Sequence, residues 1–178
     1  MHGALFRRAR RLPLDGKEFR KVRDVTGRIV RPVRAVLITR RRDEGIQASP
    51  VSALAIGEES FLVTSSEVTA KTRNIQRDPR VALCVVSDNW YGPWRTVEGK
   101  AEIRTLPDAF EDLKEFHRVR DGGPLGAGAD FDARLLASWE AEAKVLIAVH
   151  ADRVARAPSL DELAATIASA SRQPRKGR

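Results

Sequence analysis

The chain has 178 residues, 42% of them hydrophobic and 31% charged, which suits one globular domain with short extensions. No apolar run nears the ~20 residues of a spanning helix, no apolar segment follows the basic N-terminus as a secretory signal requires, and the lone Cys84 excludes an internal disulfide, so a cytoplasmic location is expected. The net charge of +8 sits at the ends, with 14 Lys/Arg against 3 Asp/Glu in residues 1–42 and four more positives in residues 172–178; the body between is acidic, which argues against nucleic acid as its partner.

Residues 1–32 read as a basic arm with few apolar anchors and a short helix near residues 17–22. The first strand spans 33–40, and the polar turn 41–45 leads into a second strand over 46–56. Pro50 lies inside that strand, where a missing N–H implies an edge or a bulge. Gly57, Glu58 and Glu59 turn the chain into a third strand, 61–64, which runs into the hydroxyl cluster Thr64, Ser65 and Ser66. A helix over 69–77 follows and stops at Asp78-Pro79, feeding a buried fourth strand that holds Cys84. A strand that ends in hydroxyls and opens a helix presents free backbone N–H groups and a positive dipole end. Lys71 and Arg73 add charge, so the place suits a phosphate. The same residues also read as an ordinary cap on Ser65 or Ser66 with solvated cations.

The loop 87–94 is aromatic, with Trp90 and Trp94. A fifth strand follows, with Val97, Gly99, Ala101 and Ile103 on one face and Thr96, Glu98, Lys100, Glu102 and Arg104 on the other, the period of a half-buried antiparallel strand. Thr105 is expected to cap a helix with Pro107 near its start and Phe110, Leu113 and Phe116 as its apolar stripe. A glycine-rich loop over 121–129, a helix carrying Phe131, Leu135 and Trp139, and a strand over 145–149 complete the body. Ser159 and Glu162 then form a capping box for a terminal helix, and residues 171–178 trail off as a basic tail. The histidines and the cysteine lie too far apart for metal-ligand spacing, no nucleophile–base pair is visible, and His117 reads as a partly buried structural residue. Hairpin-joined strands with peripheral helices give a mainly β architecture, an antiparallel barrel.

The ordered set of a hydroxyl turn, the Lys71-Thr72-Arg73-Asn74 helix, Asp78-Pro79-Arg80, a strand, Asp88-Asn89-Trp90 and Val97-Glu98-Gly99-Lys100-Ala101-Glu102 resembles the pyridoxamine 5'-phosphate oxidase-like split barrels. Within them it is most similar to the branch that uses the deazaflavin coenzyme F420. The resemblance covers residues 33–156 and implies a six-stranded antiparallel split barrel there, between the arm 1–32 and a C-terminal helix and tail, 157–178. It implies a homodimeric oxidoreductase that binds F420, or alternatively FMN, and passes hydride to a small-molecule substrate, the chemistry residing on the cofactor. A non-catalytic cofactor-binding protein is the third reading.

By position, Thr64, Ser65 and Lys71 fall on the phosphate contacts of that family. Arg73 and Asn74 continue the motif, and Asn74 reads equally as an anchor of the helix end. Ser49, Pro50 and Val51 fall on the segment beside the tricyclic ring, with Pro50 either freeing backbone groups for the ring edge or making a plain edge bulge. Trp90 falls on an aromatic near the partner subunit's ring, or simply packs on the barrel end. Thr69 departs from the pattern, because many relatives carry arginine there, and one charge-assisted phosphate contact of ~1.5–3 kcal/mol is absent. Arg73, Arg77 or the basic arm is left to replace it. A basic rim would favour F420, whose oligoglutamate tail is anionic.

Overall fold

The computed structural model describes residues 22–23, 29–57, 59–87, 93–123, 125–158 and 162. Seven strands and three helices are ordered as β1 (Val22–Arg23), β2 (Ile29–Arg40), β3 (Ile46–Ile56), β4 (Ser60–Ser66), α1 (Ala70–Arg77), β5 (Arg80–Val86), β6 (Trp94–Thr105), α2 (Phe110–Asp121), α3 (Ala129–Ala141) and β7 (Lys144–Arg156). The sheet order is β1-β2-β3-β4-β7-β6-β5, and β5 pairs back onto β2. All pairings are antiparallel, so six strands close a barrel and β1 adds a short ladder at the start of β2. This is the mainly β split-barrel architecture that the sequence predicts.

Alternation sorts the side chains. Val33, Ala35 and Leu37 of β2, Ala53 and Ala55 of β3, Phe61 and Val63 of β4, Leu83 and Val85 of β5, Val97 of β6 and Ile147 and Val149 of β7 fill the interior. The opposite parity carries Leu54 and Leu146 into a second core under α2 and α3, with Leu113, Phe116, Val119 and Trp139. Helix α1 closes one end of the barrel and contributes Ile75 to the interior core. At Gly99, beside a bulge in the β6–β7 ladder, an added β-carbon would lie 1.9 Å from the His150 carbonyl oxygen. Only glycine lets the two backbones approach so closely.

Several expected boundaries shift, for physical reasons. Strand β2 begins at Ile29 because β1 and the far end of β3 supply partners for Ile29 and Val30. Strand β7 runs on to Arg156, since β6 holds it through Arg95↔Arg156 although its outer residues are charged. Thr105 is not a helix cap: it stays in β6 opposite Val145, its carbonyl accepts the Ala109 N–H at 2.9 Å, and α2 starts at Phe110 behind Ala109. Cys84 is half-buried and unpaired with any other cysteine. The helix expected near residues 17–22 falls mostly outside the described residues, as do the capping box except Glu162, and the basic tail.

Candidate functional site

The hairpin between β2 and β3 sets the hydrogen-bond phase of both strands. Arg41 N–H donates to the Gly45 carbonyl at 2.8 Å, and the pairing from Arg40↔Ile46 to Val30↔Ile56 continues that register without a shift. Odd-numbered residues of β3 therefore direct their backbone groups toward β2, and even-numbered residues away from it. Strand β4 takes up the second edge only from Ala53 onward. Among the described residues, the backbone groups of Ile46, Ala48 and Pro50 thus face an edge with no partner strand. Pro50 stands there because its missing N–H would have pointed outward. It neither bulges nor breaks the β2–β3 ladder, so of the expected edge or bulge it is the edge that the structure shows.

Beside this open edge stands the start of α1. Thr69 is its N-cap residue but makes no side-chain cap bond. Its hydroxyl instead donates to the Ser66 carbonyl at 3.0 Å and lies 2.9 Å from both Ser65 Oγ and Thr72 Oγ1. Thr72, fully buried, donates to the same carbonyl at 2.9 Å. That carbonyl also accepts the Thr69 N–H at 3.1 Å, and the Ser65 hydroxyl, 2.9 Å from Thr69 Oγ1 and 3.1 Å from Thr72 Oγ1, belongs to the same hydrogen-bonded cluster. Ser66 is spoken for by the Glu142 carbonyl at 2.9 Å. Thr64 is not brought to this cluster. Strand alternation puts Ser65 on the barrel side with Phe61 and Val63, and Thr64 on the opposite face with Leu62.

Lys71 is half-buried and Arg73 exposed, and neither has an ion pair or side-chain hydrogen bond among the described residues. Arg77, named above as a substitute cation, is engaged elsewhere: its guanidinium donates to the Arg40 carbonyl and, at 3.3 Å, to Asn74 Oδ1. Asn74 is buried, and its amide nitrogen donates to Thr39 Oγ1 at 3.0 Å and to Gln47 Oε1 at 2.9 Å. The structure thus gives Asn74 the anchoring role. Gln47 in turn reaches Ser49 Oγ at 3.4 Å; Ser49 and Val51 are half-buried and Pro50 exposed. An open depression of about 580 Å³ lies between hairpin and helix, lined by Arg41, Arg42, Gln47, Ala48, Ala70 and Asn74 among others. At the helix's far end Asp78 accepts three hydrogen bonds from Arg80, which hold its carboxyl at about 2 and brace the turn into β5. Trp90 lies outside the described residues. Thr72, Gln47 and Arg42 were not singled out from sequence; the signal for Gln47 is its parity with Val51 and Ala53, an amide on a barrel-side face.

His117 is remote from this place. Its ring stacks on Trp139 at 5.2 Å, its Nε2 is buried without a partner, and burial, helped by Arg120 and Lys144, pushes its pKa below the ordinary value. That is the structural role expected of it.

A pyridoxamine 5'-phosphate oxidase family model matches residues 25–155. The chain belongs to that family. Among solved structures, it is 29% identical to an F420 reductase, over 70% of this chain and 90% of that one, with a TM-score of 0.51. A conserved hypothetical protein of Mycobacterium tuberculosis shares the fold at 20% identity, over 70% of this chain and 76% of that one, with a TM-score of 0.56. No curated protein matches. Among the described residues no helix is long and apolar enough to cross a membrane, and no cluster of His, Cys, Asp and Glu has the makings of a metal site.

Proposed function

We propose that this member of the family is an oxidoreductase that transfers hydride from reduced coenzyme F420 to a small organic acceptor. The observation that carries the reading is the pair of uncompensated cations, Lys71 and Arg73, at the start of α1 beside the open edge of β3. Positive side chains without a partner among the described residues, next to the Ser65 hydroxyl and the amino end of a helix, fit a phosphate-bearing cofactor. Lys71, Arg73, Ser65 and the first N–H groups of α1 would hold the phosphate, and the open edge around Ser49, Pro50 and Val51 would lie along the ring, without a role for Thr64. When bound, the cofactor supplies the hydride chemistry, while the protein binds, orients and excludes water. The identity to an F420 reductase favours the deazaflavin over FMN; the resemblance to the pyridoxamine 5'-phosphate oxidase-like barrels keeps FMN as the second reading.

A homodimer goes with this reading. The outer sides of β2 and β5 carry Val36, Ile38, Ala82, Cys84 and Val86, half-buried or exposed, next to the open edge where Ile46 is 71% exposed. Such a contiguous apolar face suits a second copy of the chain. A cytoplasmic location accords with the single unpaired cysteine.

Titrating the purified protein with F420 and with FMN, followed by mixing reduced cofactor with candidate acceptors, tests the function. Tight F420 binding with acceptor-dependent oxidation is the expected result. Binding of neither cofactor overturns it, and binding without turnover identifies a carrier. For the dimer, Val36→Asp is expected to halve the particle mass in light scattering with the barrel's circular dichroism unchanged. A wild type already at the 19.7 kDa of one chain overturns that part.

A further inference from the structure

The depression beside α1 has a fixed hydrogen-bond polarity, and the residue that fixes it stands outside the depression. A guanidinium can only donate, so the Arg77 contact with Asn74 at 3.3 Å identifies the atom facing it as the amide oxygen. The Asn74 nitrogen must then face Thr39 and Gln47, and it donates to each, at 3.0 and 2.9 Å. Because Gln47 accepts through its oxygen, only its N–H₂ group is turned away from Asn74, along β3 toward Ser49. An amide of this kind, free to rotate, would offer either face. Here one guanidinium settles the orientation of two amides in series. Both amides line the depression, together with Arg42, which has no partner among the described residues.

We infer that Gln47 is a ligand-binding residue whose orientation is set by Arg77 through Asn74, so that the depression presents donors to an acceptor oxygen of its ligand. This rests on the proposed cofactor reading and adds to it a residue outside the phosphate motif and the ring segment. Asn74 is then a positioning residue. The acceptor belongs either to a phosphate or to a ring carbonyl, and the two sources are separable by the probe.

Gln47→Glu is the discriminating variant. A carboxylate at 47 still accepts from Asn74, so the anchor of α1 is kept, while the group facing the ligand changes from donor to acceptor. Affinity for the bound cofactor is expected to fall about tenfold or more. Asn74→Asp reverses the orientation from the other side: it offers only acceptors, and Gln47 must turn its N–H₂ inward and its oxygen outward. It should weaken binding too, and this loss should vanish in a Gln47→Met background. A merely structural role for Asn74 would leave the loss in place. Comparing FMN with riboflavin, and F420 with its phosphate-free chromophore, locates the oxygen: a loss confined to the phosphorylated ligand assigns the phosphate, an equal loss the ring. Wild-type affinity in Gln47→Glu overturns the inference while leaving the functional reading intact. Additive losses in Asn74→Asp with Gln47→Met overturn the relay. A wild type that binds none of the four probes overturns the functional reading, and the ligand of Gln47 with it.

Discussion

The roofed and unroofed sides of the barrel are made from the same alternating strands, yet they are finished in different ways. Over β4, β7 and the far half of β3, helices α2 and α3 bury Leu54, Leu146, Leu113 and Phe116. Over β2 and β5 the outward side chains remain half-buried or exposed, and β3 keeps a free edge. The roofed side shows what a finished face looks like: large apolar side chains, ion pairs such as Lys114–Asp132 at 2.9 Å at the rim, and a histidine kept neutral by burial. The side with the open edge has mostly short outward side chains, an uncovered run of β3 backbone, and beside it Lys71 and Arg73 of α1, which have no partner among the described residues. The first side supplies much of the buried core, and the proposed binding site lies on the second.

The largest effect that would sharpen this contrast is Phe116→Ala, which should lower unfolding free energy by ~3–5 kcal/mol because its fully buried ring leaves a cavity. Val36→Ala on the unroofed side should remain within ~1.5 kcal/mol. Denaturant midpoints measured side by side would break the contrast if the two losses were equal. Next in size, Lys71→Ala should weaken cofactor binding by ~1.5–3 kcal/mol with the melting temperature unmoved. Unchanged affinity in the folded variant removes the phosphate assignment. Ser65→Ala should cost less, ~0.5–1.5 kcal/mol, since one neutral donor is lost.

The smallest effect concerns pH. Burial holds the His117 pKa in the folded protein below the ordinary histidine value of 6.5, so on acidification the unfolded chain takes up this proton first. Its contribution to stability is therefore full above about pH 6.5 and declines as pH falls below it, toward the depressed folded-state value. His117→Phe should flatten the slope of melting temperature against pH over that window, and an unaltered slope would show that other groups set it.

Much of the fold was legible because local signals agreed with the tertiary outcome. Strand β3 has the predicted bounds, since Gly45 and Gly57 flank it with turns, and β6 keeps the predicted alternation. Legibility failed where long-range pairing overrides local character. His150, Asp152 and Arg153 make the end of β7 look like a loop until β6 supplies its ladder. Thr105 looks like a cap until Val145 claims it as a strand residue. At the candidate site, the free charges Lys71 and Arg73 could be picked out from spacing alone. The committed polar groups could not, because the bonds of Thr72 to Ser66, and of Asn74 to Thr39 and Gln47, join positions 6 to 35 residues apart.

Pro50 has a further consequence. A sheet with an exposed edge invites a strand from another molecule, and such recruitment is the first step toward intermolecular β-aggregation. The register places the proline's nitrogen on that edge, so an incoming strand finds a gap where it needs a donor. Replacing it with valine would restore the donor on a β-prone backbone and turn the edge into a nucleation template. The residue therefore closes the edge to foreign strands without covering it.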